Sequence, residues 1–233
     1  MTILPNGARA VMASRIEPPD SLEYFPTPPW ATRALMVHVL GKRYSPLSLR
    51  YWMALEPACG EGHMVEPLRE YFGGVFGTDI YDYGAGYQAA DYLDPSYTIP
   101  KVDWVITNPP FSAGADFVRR SLDTSATRRG VAMLVRTAWM EGAERYKRLF
   151  AVRPPHIIAP FVERVPMVKG RWDPEASTAT SYAWFVWLRG LAYGRTDVIW
   201  IPPCRAALHR ASDVIRWCPP APLPLFGSEV DLV

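Results

Sequence analysis

At 233 residues, 49% hydrophobic and 21% charged, the chain is sized for one ordinary domain with a sizeable core. No apolar run approaches the roughly 18 residues of a membrane span, the N-terminus carries Arg9 and Arg15 but no apolar stretch of a secretory signal, and three widely spaced cysteines (Cys59, Cys204, Cys218) argue against a disulfide framework and for a reducing, cytoplasmic setting. The net charge of +2 hides an asymmetry: residues 1–118 carry 8 Lys/Arg against 13 Asp/Glu, residues 119–233 carry 17 against 10, and a basic half suits a polyanionic partner.

Residues 1–20 lack periodicity and hold Pro5, Gly7, Pro18 and Pro19, which predicts a flexible tail. A rigid segment, Tyr24-Phe25-Pro26-Thr27-Pro28-Pro29-Trp30, leads into a helix running to Gly41, with Trp30, Ala34, Leu35, Val37, His38 and Val39 at helical spacing. Thr27 is placed to cap that helix, with Pro28 in its first turn. Residues 52–58 read as a short apolar strand that runs into Cys59-Gly60-Glu61-Gly62 and then a helix over about 63–72. Strand, glycine turn and helix open a nucleotide-binding α/β sheet, since glycines let the backbone approach a ligand closely. The pattern is neither the GxGxxG of dinucleotide enzymes nor a P-loop, which needs a following lysine.

A second strand over 75–80 ends near Asp79, where a carboxylate can accept both hydroxyls of a ribose. Residues 81–90 are too short and too rich in Gly and Tyr for a normal crossover helix, and Asp91 with Tyr92 and Leu93 offers a carboxylate and an apolar wall to an adenine ring. Residues 102–107 form a buried strand that stops at Asn108-Pro109-Pro110-Phe111. Two prolines cannot continue a ladder and stiffen the backbone, so the tetrapeptide is a rigid elbow with an amide before it and a ring after it. An amide beside fixed carbonyls suits a planar amino group, and the ring suits stacking on a base; alone, the tetrapeptide reads equally well as a turn with a core Phe. Further on, the pattern predicts a helix over 112–122, a strand over 131–135, a helix over 141–152 with Tyr146, Leu149 and Phe150 inward, and strands over 156–162, 182–188 and 198–201. The end of the chain, from Cys218 on, is Pro-rich and expected to be extended.

Taken in order, Phe25-Pro26-Thr27-Pro28, Glu56-Pro57-Ala58-Cys59-Gly60-Glu61-Gly62, Asp79, Asp91 and Asn108-Pro109-Pro110-Phe111 resemble the S-adenosylmethionine-dependent DNA adenine methyltransferases. The narrower resemblance is to the small enzymes of this type carried by bacteriophages and prophages, and it covers about residues 24–190. It implies an α/β fold of Rossmann type, the class I methyltransferase fold: a seven-stranded, mostly parallel sheet with helices on both faces and one antiparallel strand. It implies that Glu56, Cys59, Gly60 and Gly62 line the methionine end of the cofactor, Asp79 holds the ribose, Asp91 the adenine amino group, and Phe25 and Thr27 close over the methionine. Asn108 would also border the cofactor. In the reaction so implied, Asn108 Oδ1 and the Pro109 carbonyl accept the two hydrogens of the adenine amine, and Pro110 stiffens the elbow. Phe111 stacks on a flipped base.

The stretch 163–181 holds Arg164, Lys169, Arg171 and Trp172, expected to contact phosphates and prop the flipped base. Only 43 residues follow Gly190, below the roughly 50 of a separate domain. The expected organisation is therefore a tail over 1–20, a catalytic domain over 21–217 and a Pro-rich tail over 218–233, with no separate target-recognition domain. Cys204, His209 and Cys218 are irregularly spaced and lack a fourth partner, so no metal site is expected. Leu223-Pro224-Leu225-Phe226 resembles a short motif that docks on replication sliding clamps, without its leading Gln. Other readings are an RNA adenine methyltransferase, protein glutamine methylation, for which Tyr usually replaces Phe111, and a non-catalytic nucleic-acid-binding module.

Overall fold

The computed structural model describes residues 23–218. The 1–20 tail, residues 219–233 of the Pro-rich tail and the Leu223–Phe226 motif lie outside them.

Among the described residues, eight strands form one sheet: β1 Met53–Glu56, β2 Gly74–Asp79, β3 Gln88–Ala89, β4 Val102–Thr107, β5 Thr127–Arg136, β6 Ile157–Pro160, β7 Tyr182–Leu188 and β8 Asp197–Val198. Their spatial order is β3-β2-β1-β4-β5-β7-β6-β8. All neighbours run parallel except β7, which is antiparallel to both β5 and β6. The expected count was seven; the eighth is the two-residue edge strand β8, paired in parallel with β6. It begins at the 198–201 pattern, yet Trp200 stays outside the ladder and Ile201 forms only an isolated bridge to Phe161.

The central strands are buried on both faces, and alternation sorts their side chains into two layers. Trp104, Ile106, Ala132, Leu134, Trp184 and Val186 pack on one face with Trp30, Leu35, Val65 and Leu68. Val105, Val131, Met133, Val135, Phe185 and Trp187 pack on the other with Phe117, Val118, Leu122 and Leu149. The helices that cover the sheet are short: α1 Pro29–Leu35, α2 Gly41–Arg43, α3 Pro46–Arg50, α4 Val65–Arg69, α5 Gly114–Asp123, α6 Ala143–Arg145, α7 Arg205–Leu208 and α8 Ala211–Trp217.

Two predicted helices contain wide turns. Met36–Leu40 and Tyr146–Phe150 are π-helical, and the Gly41 and Ala151 N–H groups donate back to Met36 and Tyr146. An i→i+5 turn advances the helix phase. Leu149 is buried as expected, but Tyr146, expected inward, is 61% exposed, and Val37 also reaches solvent. The first helix starts at Pro29, and Thr27 does not cap it. The Thr27 hydroxyl has another partner, described below.

Candidate active site

β1 lies between β2 and β4, so the chain crosses over in opposite directions from it. The carboxyl ends of these strands border the crevice where open α/β sheets bind ligands. A cleft of about 330 Å³ opens there. Phe25, Thr27, Glu56, Cys59, Asp79, Asp91, Asn108 and Pro110 line it, eight positions drawn from five separate sequence features.

The glycine turn is built around backbone approach. Gly60 and Gly62 have φ of 51° and 87°, in the left-handed region where a side chain is strained. A Cβ on Gly60 would lie 2.4 Å from the Tyr24 ring, and one on Gly62 would lie 2.2 Å from the Tyr87 hydroxyl. These glycines thus flank the cleft and seat two tyrosines. Tyr24 donates its hydroxyl to Glu61 Oε2 at 2.8 Å, and its carbonyl accepts from the Gly170 N–H. The turn is tied to β2: the Cys59 N–H donates to the Thr78 carbonyl, and the Gly60 N–H donates to Asp79 Oδ2 at 2.8 Å. Burial pushes the Asp79 carboxyl upward, against the N–H bonds from Tyr81 and Gly60 that pull it down. Asp91 is exposed at the cleft wall and accepts the Leu93 N–H.

Glu56 sits at the end of β1 with its side chain 1% exposed. Its Oε1 accepts from the Thr107 hydroxyl at 2.5 Å and the Ala58 N–H at 3.0 Å, while Oε2 has no partner. Burial, offset in part by those bonds, raises its pKa to about 8. Cys59 is buried too, and burial pushes its thiol far up, which disqualifies it as a nucleophile.

Asn108 follows β4 directly. Its Nδ2 donates to the Phe25 carbonyl and to Thr27 Oγ1, each at 3.0 Å, with Met167 Sδ at 3.7 Å. The Phe25 carbonyl can only accept, so the amide orientation is fixed by its partners. Oδ1 is left buried with no partner. The Phe111 N–H donates to Glu23 Oε2 at 2.5 Å. The Phe111 ring lies 5.3 Å from that of Phe25, and the Arg136 guanidinium carbon is 4.2 Å from its centroid. Pro109 is buried, and neither it nor the Phe111 ring lines the cleft itself.

The 163–181 stretch reaches the site through Met167 and Gly170 rather than through its cations. Arg164 bonds to Ser181 Oγ, Arg171 pairs with Asp173 at 3.2 Å, and Lys169 is half-buried. Trp172 is 5% exposed, enclosed by His63, His209 and Trp217. That packing leaves its ring no open face for a base, so it serves the fold here. Among the described residues, no group of His, Cys, Asp and Glu could hold a metal ion, and no helix is long and apolar enough to cross a membrane.

No protein-family model matches the chain, and no curated protein matches its sequence. Solved structures do share its architecture. A type I restriction-modification system methyltransferase subunit from Streptococcus thermophilus superposes with a TM-score of 0.52 at 12% identity, over 73% of this chain and 46% of that one. The M protein of the type I restriction enzyme EcoKI gives 0.52 at 12%, over 76% and 48%. A Listeria monocytogenes protein assigned to the class I S-adenosylmethionine-dependent methyltransferases gives 0.52 at 13%, over 74% and 64%. The fold is that of class I methyltransferases. The chain spans 46% to 64% of the length of these three structures.

Within this methyltransferase fold, several site residues carry no separate signal in the sequence. Glu23 and Tyr24 belong to the same segment as Phe25, the strap over 23–27 that Asn108 anchors, and are found by extending the motif. His63 directly follows the glycine turn. Arg136 and Met167 reach Phe111 and Asn108 only through strand order and loop packing, which no local pattern reveals.

Proposed function

We propose that this protein transfers a methyl group from S-adenosylmethionine to the exocyclic amine of adenine in DNA. The observation that carries this reading is Asn108. Its Nδ2 is committed to the strap, so its buried Oδ1 is an acceptor held ready with nothing to accept from. A buried unsatisfied acceptor costs about 1–3 kcal/mol, which an amino-bearing ligand would recover.

The residues fit the cofactor. Glu56 Oε2 is a second unpartnered acceptor, suited to an ammonium. Asp79 stands at the end of β2, the place of a ribose-binding carboxylate. Among the described residues, the carboxyl groups that line the cleft are Glu23, Glu56, Asp79 and Asp91, with no Lys or Arg, which favours a cationic guest, and an ammonium beside Glu56 would draw off its proton. When bound, S-adenosylmethionine supplies an electrophilic methyl group on a sulfonium. Asn108 Oδ1 would accept a hydrogen bond from one amine N–H, and the carbonyl of Pro109, buried between the cleft residues Asn108 and Pro110, would accept one from the other; this localises the lone pair on nitrogen for the transfer, with S-adenosylhomocysteine as the leaving group and the surplus amine proton passing to solvent. The prolines hold both acceptors without reorganisation, so positioning and electrostatics do the work. Phe111 stacks on the flipped base, with Arg136 against the same ring and within reach of the flanking phosphate. Arg164 and Arg171, exposed on the loop of Met167, would add phosphate contacts farther from the base. The buried thiol of Cys59 takes no covalent part.

Mass spectrometry of DNA and RNA from cells expressing the protein is expected to find methylated adenine in DNA. Methyl-adenine confined to RNA would overturn the choice of substrate. In the same assay Asn108→Ala should lower transfer by about 10²–10³ or more. It should also weaken cofactor binding several-fold, because the strap loses its two anchors at Phe25 and Thr27. Wild-type turnover in that variant would remove Asn108 from the mechanism.

A further inference from the structure

His63 is the least satisfied side chain of the cleft. It lines the cleft next to Met64 and Cys59, is 2% exposed, and neither Nδ1 nor Nε2 has a hydrogen-bond partner. Burial drives its pKa down to about 3, so the ring is neutral and offers one N–H donor and one lone pair. The ring does not drift. Trp217 of α8 stacks on it with centroids 4.5 Å apart and planes 21° apart, and Trp172 meets it edge-on at 6.3 Å. The Trp217 indole N–H in turn donates to the Glu61 carbonyl at 3.4 Å, which ties α8 to the glycine turn. A buried polar ring kept in place without partners is a costly arrangement unless a ligand completes it.

The charge balance of the cleft says which ligand atom is missing. Among the described residues no Lys or Arg lines it, and the other two buried unpartnered groups are Asn108 Oδ1, an acceptor, and Glu56 Oε2, which becomes an acceptor once an ammonium draws off its proton. S-adenosylmethionine brings an α-carboxylate as well as an ammonium, and a carboxylate entering an acidic cleft needs a donor. We infer that His63 is a cofactor-binding residue whose ring N–H donates to that carboxylate, with Trp217 and Trp172 fixing the ring for it. This rests on the cleft being the S-adenosylmethionine site.

The test is isothermal titration of the full chain with two ligands. S-adenosylhomocysteine keeps the amino-acid end, and 5′-methylthioadenosine lacks it. His63→Phe keeps the ring and its stacking on Trp217 but removes both nitrogens. Its affinity for S-adenosylhomocysteine should fall about tenfold, the worth of one hydrogen bond to a charged group. Its affinity for methylthioadenosine should stay within about twofold, and its ligand-free melting temperature should equal or exceed wild type because two buried unpartnered atoms are gone. His63→Gln, which restores an N–H donor, should recover part of the loss; it also carries the test if the Phe variant does not fold, since it then must bind S-adenosylhomocysteine better than His63→Ala does. Equal S-adenosylhomocysteine affinity in wild type and His63→Phe, or an equal loss for both ligands, overturns the role of His63 alone. Wild-type protein that binds neither ligand overturns the cofactor reading, and this inference with it.

Discussion

Glu56 places an ionisable group where ionisation is hardest. It is sealed at the end of β1, with Thr107 and Ala58 on one oxygen and nothing on the other, and its pKa stands at about 8 against an ordinary 4.5. At pH 7 the fold therefore keeps this carboxyl protonated. Between the two values the unfolded chain gives up the proton while the folded one retains it. Stability is thus lost as pH rises from about 4.5 to 8, at up to about 1.4 kcal/mol per pH unit for one proton. Glu56→Gln removes the titration. Thermal melts from pH 5 to 8 should show a shallower decline for the variant, with the variant's relative gain largest at pH 8; parallel curves would mean that the carboxyl ionises freely in the fold. The same proton connects stability to ligand. An ammonium beside Oε2 favours the carboxylate, so binding expels the proton and cofactor affinity should rise with pH toward 8.

At the scale of elements, the closing of the molecule on itself depends on one buried cation. Arg33 of α1 is 2% exposed and donates to both oxygens of Asp213 in α8 at 2.6 and 2.8 Å, to Glu70 just after α4, and to the Leu208 carbonyl at the end of α7. Arg210 adds a bond to Glu70 and Arg216 one to Glu66. These contacts hold α8 where Trp217 covers His63, so they support the cleft from behind. Arg33→Ala leaves Asp213 buried and uncompensated and should cost about 3–5 kcal/mol in urea unfolding. Arg33→Met combined with Asp213→Leu should recover much of that; a single variant as stable as wild type would show the clamp to be ornamental. None of this was legible beforehand. Arg33 reads as one more helical residue, and its main partner lies 180 positions away. The elements that were legible had local causes: the continuous apolar runs of β4 and β7, the glycine turn and the Pro-Pro elbow. Thr27 failed as a predicted cap because Asn108, 81 residues on, takes its hydroxyl. The inward Tyr146 failed because a π turn leaves no mark in side-chain spacing.

Over the whole molecule, charge is arranged by depth. The described lining of the cleft is acidic, whereas outside it Arg136 lies over Phe111, and Arg164 and Arg171 are exposed on the loop that carries Met167 to Asn108. Part of the excess positive charge of residues 119–233 thus stands near the elbow, where a polyanion would lie on the proposed function, while Arg128 and Arg129 pair with Asp103 at the opposite end of β4. Cofactor and nucleic acid are then separated by sign, and each should respond to salt in its own way. Duplex affinity should fall steeply between 50 and 200 mM salt as counterions are released, whereas cofactor affinity, set inside the cleft, should change little. Arg136 is the decisive residue, since it lies against the elbow's Phe111 ring. Arg136→Ala should weaken duplex binding and reduce the slope of log affinity against log salt by about 1, the signature of one lost phosphate contact. Arg136→Lys should keep the slope, because the charge remains, yet lower turnover, because an ammonium does not lie flat on the Phe111 ring as a guanidinium does. An unchanged slope in Arg136→Ala, measured by fluorescence anisotropy with a labelled duplex, would confine Arg136 to holding Phe111 in place and would shift the phosphate contacts to Arg164 and Arg171.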